Sequence, residues 1–443
     1  MRIQLSEHFT YQKLLRFVLP SIAMMIFTSI YGVVDGLFVS NFVGKTPFAA
    51  INLIMPLLMG LGALGFMIGT GGTALIARTM GQGETEKANQ YFSMLIAVTV
   101  IGGAALTAAG LALLRPIAAA LGASGSLLED CVVYGRILLT FQTAFMLQNV
   151  FQSFFALAEK PKLGLGVTVA AGLTNIVLDA LFVAVLRWGL VGAAVATVLS
   201  QLVGCLVPLV YFARPNNSLL RLGRARFDGR ALKKVCINGS SELMTNLSTS
   251  LVSVLYNFQL MKLAGENGVA AYGVLMYVNF IFLAIFFGYA IGGAPVISYH
   301  YGAGNRAELK NLLRKSLVLM GVSGTALTLL AEVCAAPLSH LFVGYDAALY
   351  DLTYSGLRLY VLSFLATGFN IFGSAFFTAL NDGGVSAAIS FLRTLVFQVL
   401  VVLALPLLLG IDGIWLAVTV AELLALAVTV CFLVVKRKKY HYA

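Results

Sequence analysis

Residues 69–83 read Gly69-Thr70-Gly71-Gly72-Thr73-Ala74-Leu75-Ile76-Ala77-Arg78-Thr79-Met80-Gly81-Gln82-Gly83. Residues 290–304 read Ala290-Ile291-Gly292-Gly293-Ala294-Pro295-Val296-Ile297-Ser298-Tyr299-His300-Tyr301-Gly302-Ala303-Gly304. In both, a Gly-Gly pair sits inside an apolar run and a Gly-x-Gly ends it. From 71 to 292 the offset is 221 residues. It also pairs Ala49-Ala50 with Ala270-Ala271, Ser29 with Ser250, and Gly189 and Gly192 with Gly410 and Gly413. A register kept over so much of the chain marks a duplicated unit. The glycines are not a nucleotide-binding turn, since no strand precedes them and no P-loop lysine follows. Within an apolar helix they allow two helices to approach closely.

The unit is a set of membrane spans. Of 443 residues, 60% are hydrophobic and 11% charged, with a mean hydropathy of +0.93; soluble domains are about 25% charged. A spanning helix needs about 20 apolar residues, and twelve such runs start near residues 14, 49, 91, 131, 163, 190, 235, 268, 312, 351, 385 and 412. Runs of this length exclude an outer-membrane barrel. The first is too long for a signal-peptide core and reads as a retained helix after a short polar lead, Met1 to Lys13. Six spans per copy, an even number, give the copies the same topology. The expected fold is therefore an all-α polytopic membrane protein with twelve transmembrane helices. They form two six-helix bundles related by a pseudo-twofold axis along the membrane normal. The expected divisions are an N-terminal bundle at 1–213, a cytoplasmic linker at 214–234, a C-terminal bundle at 235–435 and a basic cytoplasmic tail at 436–443.

A net charge of +11 would suit nucleic acid, but its distribution points elsewhere. Basic residues cluster in alternate loops: Arg78 and Lys87; Lys160 and Lys162; the run from Arg214 to Lys234; Arg306 to Lys315; and Lys436 to Lys439. The other loops carry Lys45, Arg187 and the acids Glu129, Asp130, Asp346 and Asp351. This positive-inside pattern puts both termini in the cytoplasm and offers contacts to anionic membrane lipid. Cys131, Cys205, Cys236, Cys334 and Cys431 show no paired spacing, and His8, His300, His340 and His441 form no cluster. Neither a disulfide, a metal site nor a cofactor is expected. Without an ATP-binding module, transport would draw on an ion gradient.

Asp35 and Asp179 lie deep inside apolar runs. A carboxylate at the centre of a bilayer helix costs about 2.5–3.5 kcal/mol, so its default reading is a functional site. Asn175 precedes Asp179 by one helical turn, and Thr197 offers a hydroxyl from the sixth span. If spans one, five and six pack together, Asp35, Asn175, Asp179 and Thr197 form one oxygen-rich site. Two carboxylates close together at low dielectric cannot both readily ionise, so the site can hold a proton. With hydroxyl and carbonyl oxygens added it can also hold Na⁺. The 221 offset maps these four residues onto Tyr256, Val396, Leu400 and Val418, so the site belongs to one half only.

Other polar residues inside spans are candidates for a substrate cavity: Glu242, which begins the seventh span; Glu422, which maps onto Gln201; Asn149 and Asn370, paired by the offset; Tyr31; and Tyr256. Pro20, fifteen residues before Asp35, interrupts the first helix and permits a kink. Abundant Phe, Tyr and Met would suit flat lipophilic cations.

Pro20, Tyr31 and Asp35, Gly81-Gln82-Gly83, Asn175-x-x-x-Asp179, Thr197 and Gly410-Ile411-Asp412-Gly413-Ile414-Trp415 together resemble the multidrug and toxic compound extrusion (MATE) family over the whole chain, closest to its MepA-like bacterial subgroup. The resemblance implies an antiporter in the bacterial cytoplasmic (inner) membrane that exports organic cations against H⁺ or Na⁺. It also implies that protonation at Asp35 and Asp179 bends the first helix at Pro20. Some family members pair the helix-seven acid with a carboxylate in helix ten. Residues 360–380 here contain no acid, which favours coupling in the N-terminal bundle. The expected substrate is a small lipophilic organic cation and the expected state a monomer. The rival readings are a flippase for a lipid-linked oligosaccharide, which should show buried arginines, and an intramembrane enzyme, for which HExxH and GxSxG are lacking.

Overall fold

A computed structural model describes residues 3–442; the description omits the side chains at positions 33, 36, 37, 39, 40, 41, 45 and 48. The Lys45 charge and Met1 of the polar lead therefore lie outside the described residues. The described chain forms twelve spans. They are α1 (Tyr11–Phe42), α2 (Lys45–Gly81), α3 (Thr85–Ala120), α4 (125–157, broken at Phe141), α5 (Pro161–Val185) and α6 (Gly189–Ala213). The second set is α7 (229–264), α8 (266–302), α9 (Arg306–Val343), α10 (Ala347–Ala379), α11 (Gly383–Leu409) and α12 (Ile411–Tyr440). Gly265, at φ 61°, turns the chain between α7 and α8, and Gly410, at φ 59°, does so between α11 and α12. Both need the left-handed region that glycine enters without a Cβ penalty.

Several helices start ahead of their apolar runs, because a polar first turn is helical once its amides are capped. Asp228 accepts from the backbone N–H of Arg230 and Ala231, which starts α7 at Gly229. Asn305 accepts from Glu308 N–H at 3.1 Å and starts α9 at Arg306. The run 436–440 continues α12 rather than leaving it.

With twelve spans, both termini emerge on one face, here the terminal face. There the bundles close on each other. A Cβ on Gly71 would strike the Val235 carbonyl, one on Gly239 the Met67 carbonyl, and one on Gly288 the backbone of Ile22. The glycines thus set helix axes at backbone contact. Across the seam, the Ser298 hydroxyl donates to Ala74 O at 2.6 Å and the Asn381 amide to the same oxygen at 3.2 Å. The N-terminal lead straps this closure. Leu5 N–H donates to Glu159 at 2.7 Å, Phe9 N–H to Glu308 at 2.9 Å, and Lys315 Nζ to Phe9 O at 2.6 Å. Leu5 and Phe9 are fully buried, so the lead is anchored to both bundles.

Candidate functional site

The geometry begins at Gly172 of α5. A Cβ there would strike the rings of Phe27 and Tyr31, so the glycine lets α1 settle directly on α5. One turn beyond Tyr31, Asp35 then faces Asn175 and Asp179, three and seven residues beyond Gly172. The α-helix of α5 gives way at Asp179 to a π-helical segment, Ala180–Val185. Such widenings recur at functional positions because they disturb the regular carbonyl ladder.

Asp179 is fully buried and Asn175 is 2% exposed, whereas Asp35 is partly exposed. Asp35 Oδ1, both oxygens of Asp179 and the amide nitrogen of Asn175 lack a hydrogen-bond partner in the protein. Buried polar atoms are nearly always satisfied. Two facing acids with three of their four oxygens unpartnered form a site suited to a proton or a cation, and Asp35 is its less buried member. Oxygen ligands are what Na⁺ takes, so the residues present fit either ion. Among the described residues there is no cluster of three His, Cys, Asp or Glu.

Thr197 of α6 joins this group through a residue that the sequence reading missed. Tyr134 of α4 is buried, with its hydroxyl toward Thr197 and within electrostatic reach of Asp35 and Asp179. The Thr197 hydroxyl itself donates to Ala193 O at 3.0 Å. A lone phenol in an apolar run carries no signal, because aromatic residues are common in spans. Tyr31 lies beside Asp35, with its hydroxyl toward Gln148. Pro20 is buried near the terminal face, and α1 passes through it as one helix.

The remaining candidates lie elsewhere. Asn370 is fully buried; its amide donates to Glu422 O at 2.8 Å and Oε2 at 2.7 Å, and its oxygen accepts from Thr429. Arg393 Nε donates to both carboxylate oxygens of Glu422 at 2.8 and 3.0 Å. Arg393 carries the same signal in the sequence as the aspartates, a charge inside an apolar run. It too sits in a π-helical segment, Leu392–Val396. The Tyr256 hydroxyl donates to Gln398 at 3.0 Å and its ring stacks on Tyr272 at 5.1 Å. Glu242 is partly exposed and faces Arg393. Asn149 is buried in α4 with its amide nitrogen unpartnered. A concavity of about 1100 Å³, an open groove lined by Gly83–Lys87 and Arg226–Arg230, lies away from all of these.

The pattern of one duplicated six-span unit is also what comparison with known proteins finds. The MatE family model matches twice, over residues 20–181 and 243–403. The chain belongs to the MatE family. This is a family of secondary transporters, and the chain is a multi-pass membrane protein. A multidrug export protein, MepA, of Staphylococcus haemolyticus is 24% identical over 94% of this chain and 91% of its own length. A structure of a MATE protein in complex with MaL6 superposes with a TM-score of 0.94 at 24% identity, covering 99% of this chain and 98% of that one. An outward-facing conformation of a multidrug resistance MATE family transporter gives 0.93 with the same identity and coverage. The fold is thus the family's, two six-helix bundles in twelve spans.

Proposed function

We propose that this MatE-family chain is an antiporter that exports lipophilic organic cations across a bacterial cytoplasmic membrane in exchange for H⁺ or Na⁺. One observation carries the reading: Asp35 and Asp179 face each other, and three of their four carboxylate oxygens lack a partner in the protein. Two ionised carboxylates at low dielectric repel strongly. A proton or Na⁺ between them removes that repulsion and draws α1 onto α5; its loss drives α1 away. Asn175, Tyr134 and Thr197 complete the oxygen set. Pro20, fifteen residues or roughly 22 Å along α1 from Asp35, is the hinge at which that movement bends the helix.

The positive-inside pattern assigns the terminal face to the cytoplasm, with both termini inside. The glycine seam then closes the cytoplasmic side, which corresponds to an outward-open state. Tyr31 and Glu242, both partly exposed, are the groups that meet the cationic substrate. Tyr256, Asn370, Glu422 and Arg393 brace the C-terminal bundle, while Asn149 faces the interior of the N-terminal one. The protein works as a monomer of two bundles, 1–213 and 235–435, joined by the 214–234 linker and followed by the tail 436–443, and needs no cofactor. A phosphate-bearing lipid would require free buried cations, whereas Arg393 is taken by Glu422.

Ethidium export from vesicles, with pH and Na⁺ gradients imposed separately, tests the proposal. Export should follow one gradient and fall at least tenfold in Asp35→Asn and Asp179→Asn. Undiminished export in both variants would remove the coupling role.

A further inference from the structure

The 221 offset exposes a contrast in how the two bundles treat equivalent polar positions. Asn370 and Ser374 in α10 and Glu422 in α12 are bonded to protein partners. Their counterparts Asn149, Ser153 and Gln201 each keep an unpartnered buried atom: Nδ2, Oγ and Oε1. Gln152 Oε1 is likewise unpartnered. Asn149 is 3% exposed and Gln152 6%, so bulk water does not supply what the protein withholds. Orphaned atoms of this kind are the usual partners of internal water.

Two of these residues, Asn149 and Gln152, share a face of α4. Tyr134 and Leu138, four apart, share a face of the first helix of α4, and Gln142, Phe145, Asn149 and Gln152 follow in steps of three or four on the second, which puts them on one face of it. A cavity of about 30 Å³ opens on that face, lined by Leu138, Gln142, Phe145, Thr197, Gln201 and Met55. That is room for one or two waters, with Gln142, Thr197 and Gln201 as polar partners. Thr197 lines the cavity and also reaches Tyr134, which lies within electrostatic reach of Asp35 and Asp179. The titratable groups facing the two aspartates are Tyr31 on α1 and Tyr134 on α4.

We propose that this face of α4, with Thr197 and Gln201 of α6, is a water-lined passage inside the N-terminal bundle that carries the coupling cation between Asp35/Asp179 and the terminal face. The organic substrate would use the separate cleft between bundles. The proposal rests on the antiport reading above, and its first test does not depend on that reading. In X-ray radiolytic labelling of the full purified chain, Met55 should oxidise as readily as exposed Met244. Gln201→Leu should slow Met55 labelling several-fold and leave Met244 unchanged. In proteoliposomes, Gln201→Leu and Asn149→Leu should slow ion-driven ethidium export about tenfold under whichever gradient drives it. Ethidium Kd should stay within twofold, and Gln201→Asn should restore most of the rate. Unchanged Met55 labelling in Gln201→Leu would overturn the passage, as would slowing that only follows lost ethidium affinity or a lowered melting temperature. If wild-type protein exports no ethidium under either gradient, the antiport reading fails, and Met55 labelling still decides whether the passage holds water.

Discussion

Gly81 and Gly302 occupy reciprocal places: a Cβ on Gly81 would strike the Tyr299 carbonyl, and one on Gly302 would strike the Arg78 carbonyl. Arg78 and Tyr299 are themselves 221 residues apart, so each contact is the symmetry copy of the other. The pseudo-twofold axis passes between these two glycines. The same logic relates Gly71 against Gly239 to Gly292 against Val18.

Side chains at this seam should therefore pry the bundles apart. Gly81→Leu and Gly302→Leu each overpack a backbone contact, at a cost of about 1–3 kcal/mol. Hydrogen exchange at residues 298–304 should accelerate several-fold in either variant. Unaltered protection there would show that the seam does not hold the closed face.

The aspartate pair should behave oppositely in stability and in function. Asp35→Asn relieves the repulsion between two buried acids, so melting temperature should stay level or rise while coupled export is lost. Thermal unfolding and vesicle export, measured on the same preparation, check this. A large drop in melting temperature would recast Asp35 as a structural residue.

Arg393 and Glu422 should show the reverse. Their pair is buried, with Arg393 Nε–H shared between both carboxylate oxygens of Glu422, and removing one partner strands the other charge, at a cost of about 3–5 kcal/mol. Arg393→Ala should unfold at clearly lower temperature than wild type. A double replacement, Arg393→Met with Glu422→Met, should recover much of the loss, because no charge remains unpaired.

The terminal face carries its own pH dependence through Asp382 in the loop before α11. Burial pushes its carboxyl up, but the Tyr440 hydroxyl, at 2.5 Å, and the Lys436 and Lys439 ammonium groups outweigh this and hold it below the ordinary value of 3.8. A carboxylate lowered by folding stabilises the fold above its ordinary range, and that contribution is lost as pH falls through the folded value. Asp382→Asn should cost about 1–2 kcal/mol at pH 7. The difference from wild type should vanish in acid, as melting curves at both pH values would reveal.

Much of the architecture was legible in the chain because bilayer helices must satisfy their own backbone, so length and hydropathy alone define spans. The 221 offset supplied the duplication, and Asp35, Asn175, Asp179 and Thr197 announced themselves as polar groups where polarity is costly. Tyr134 was silent, since nothing in a phenol's neighbours says which helix it will face. Only packing decided the rest. The contact of Gly172 with Tyr31 brings the two aspartates together, and the meeting of α11 with α12 pairs Arg393 with Glu422. Equivalent polar positions end bonded in one bundle and unpartnered in the other, because a hydrogen bond depends on what a neighbouring helix presents. That geometry is a property of tertiary structure, which spacing along one chain does not encode.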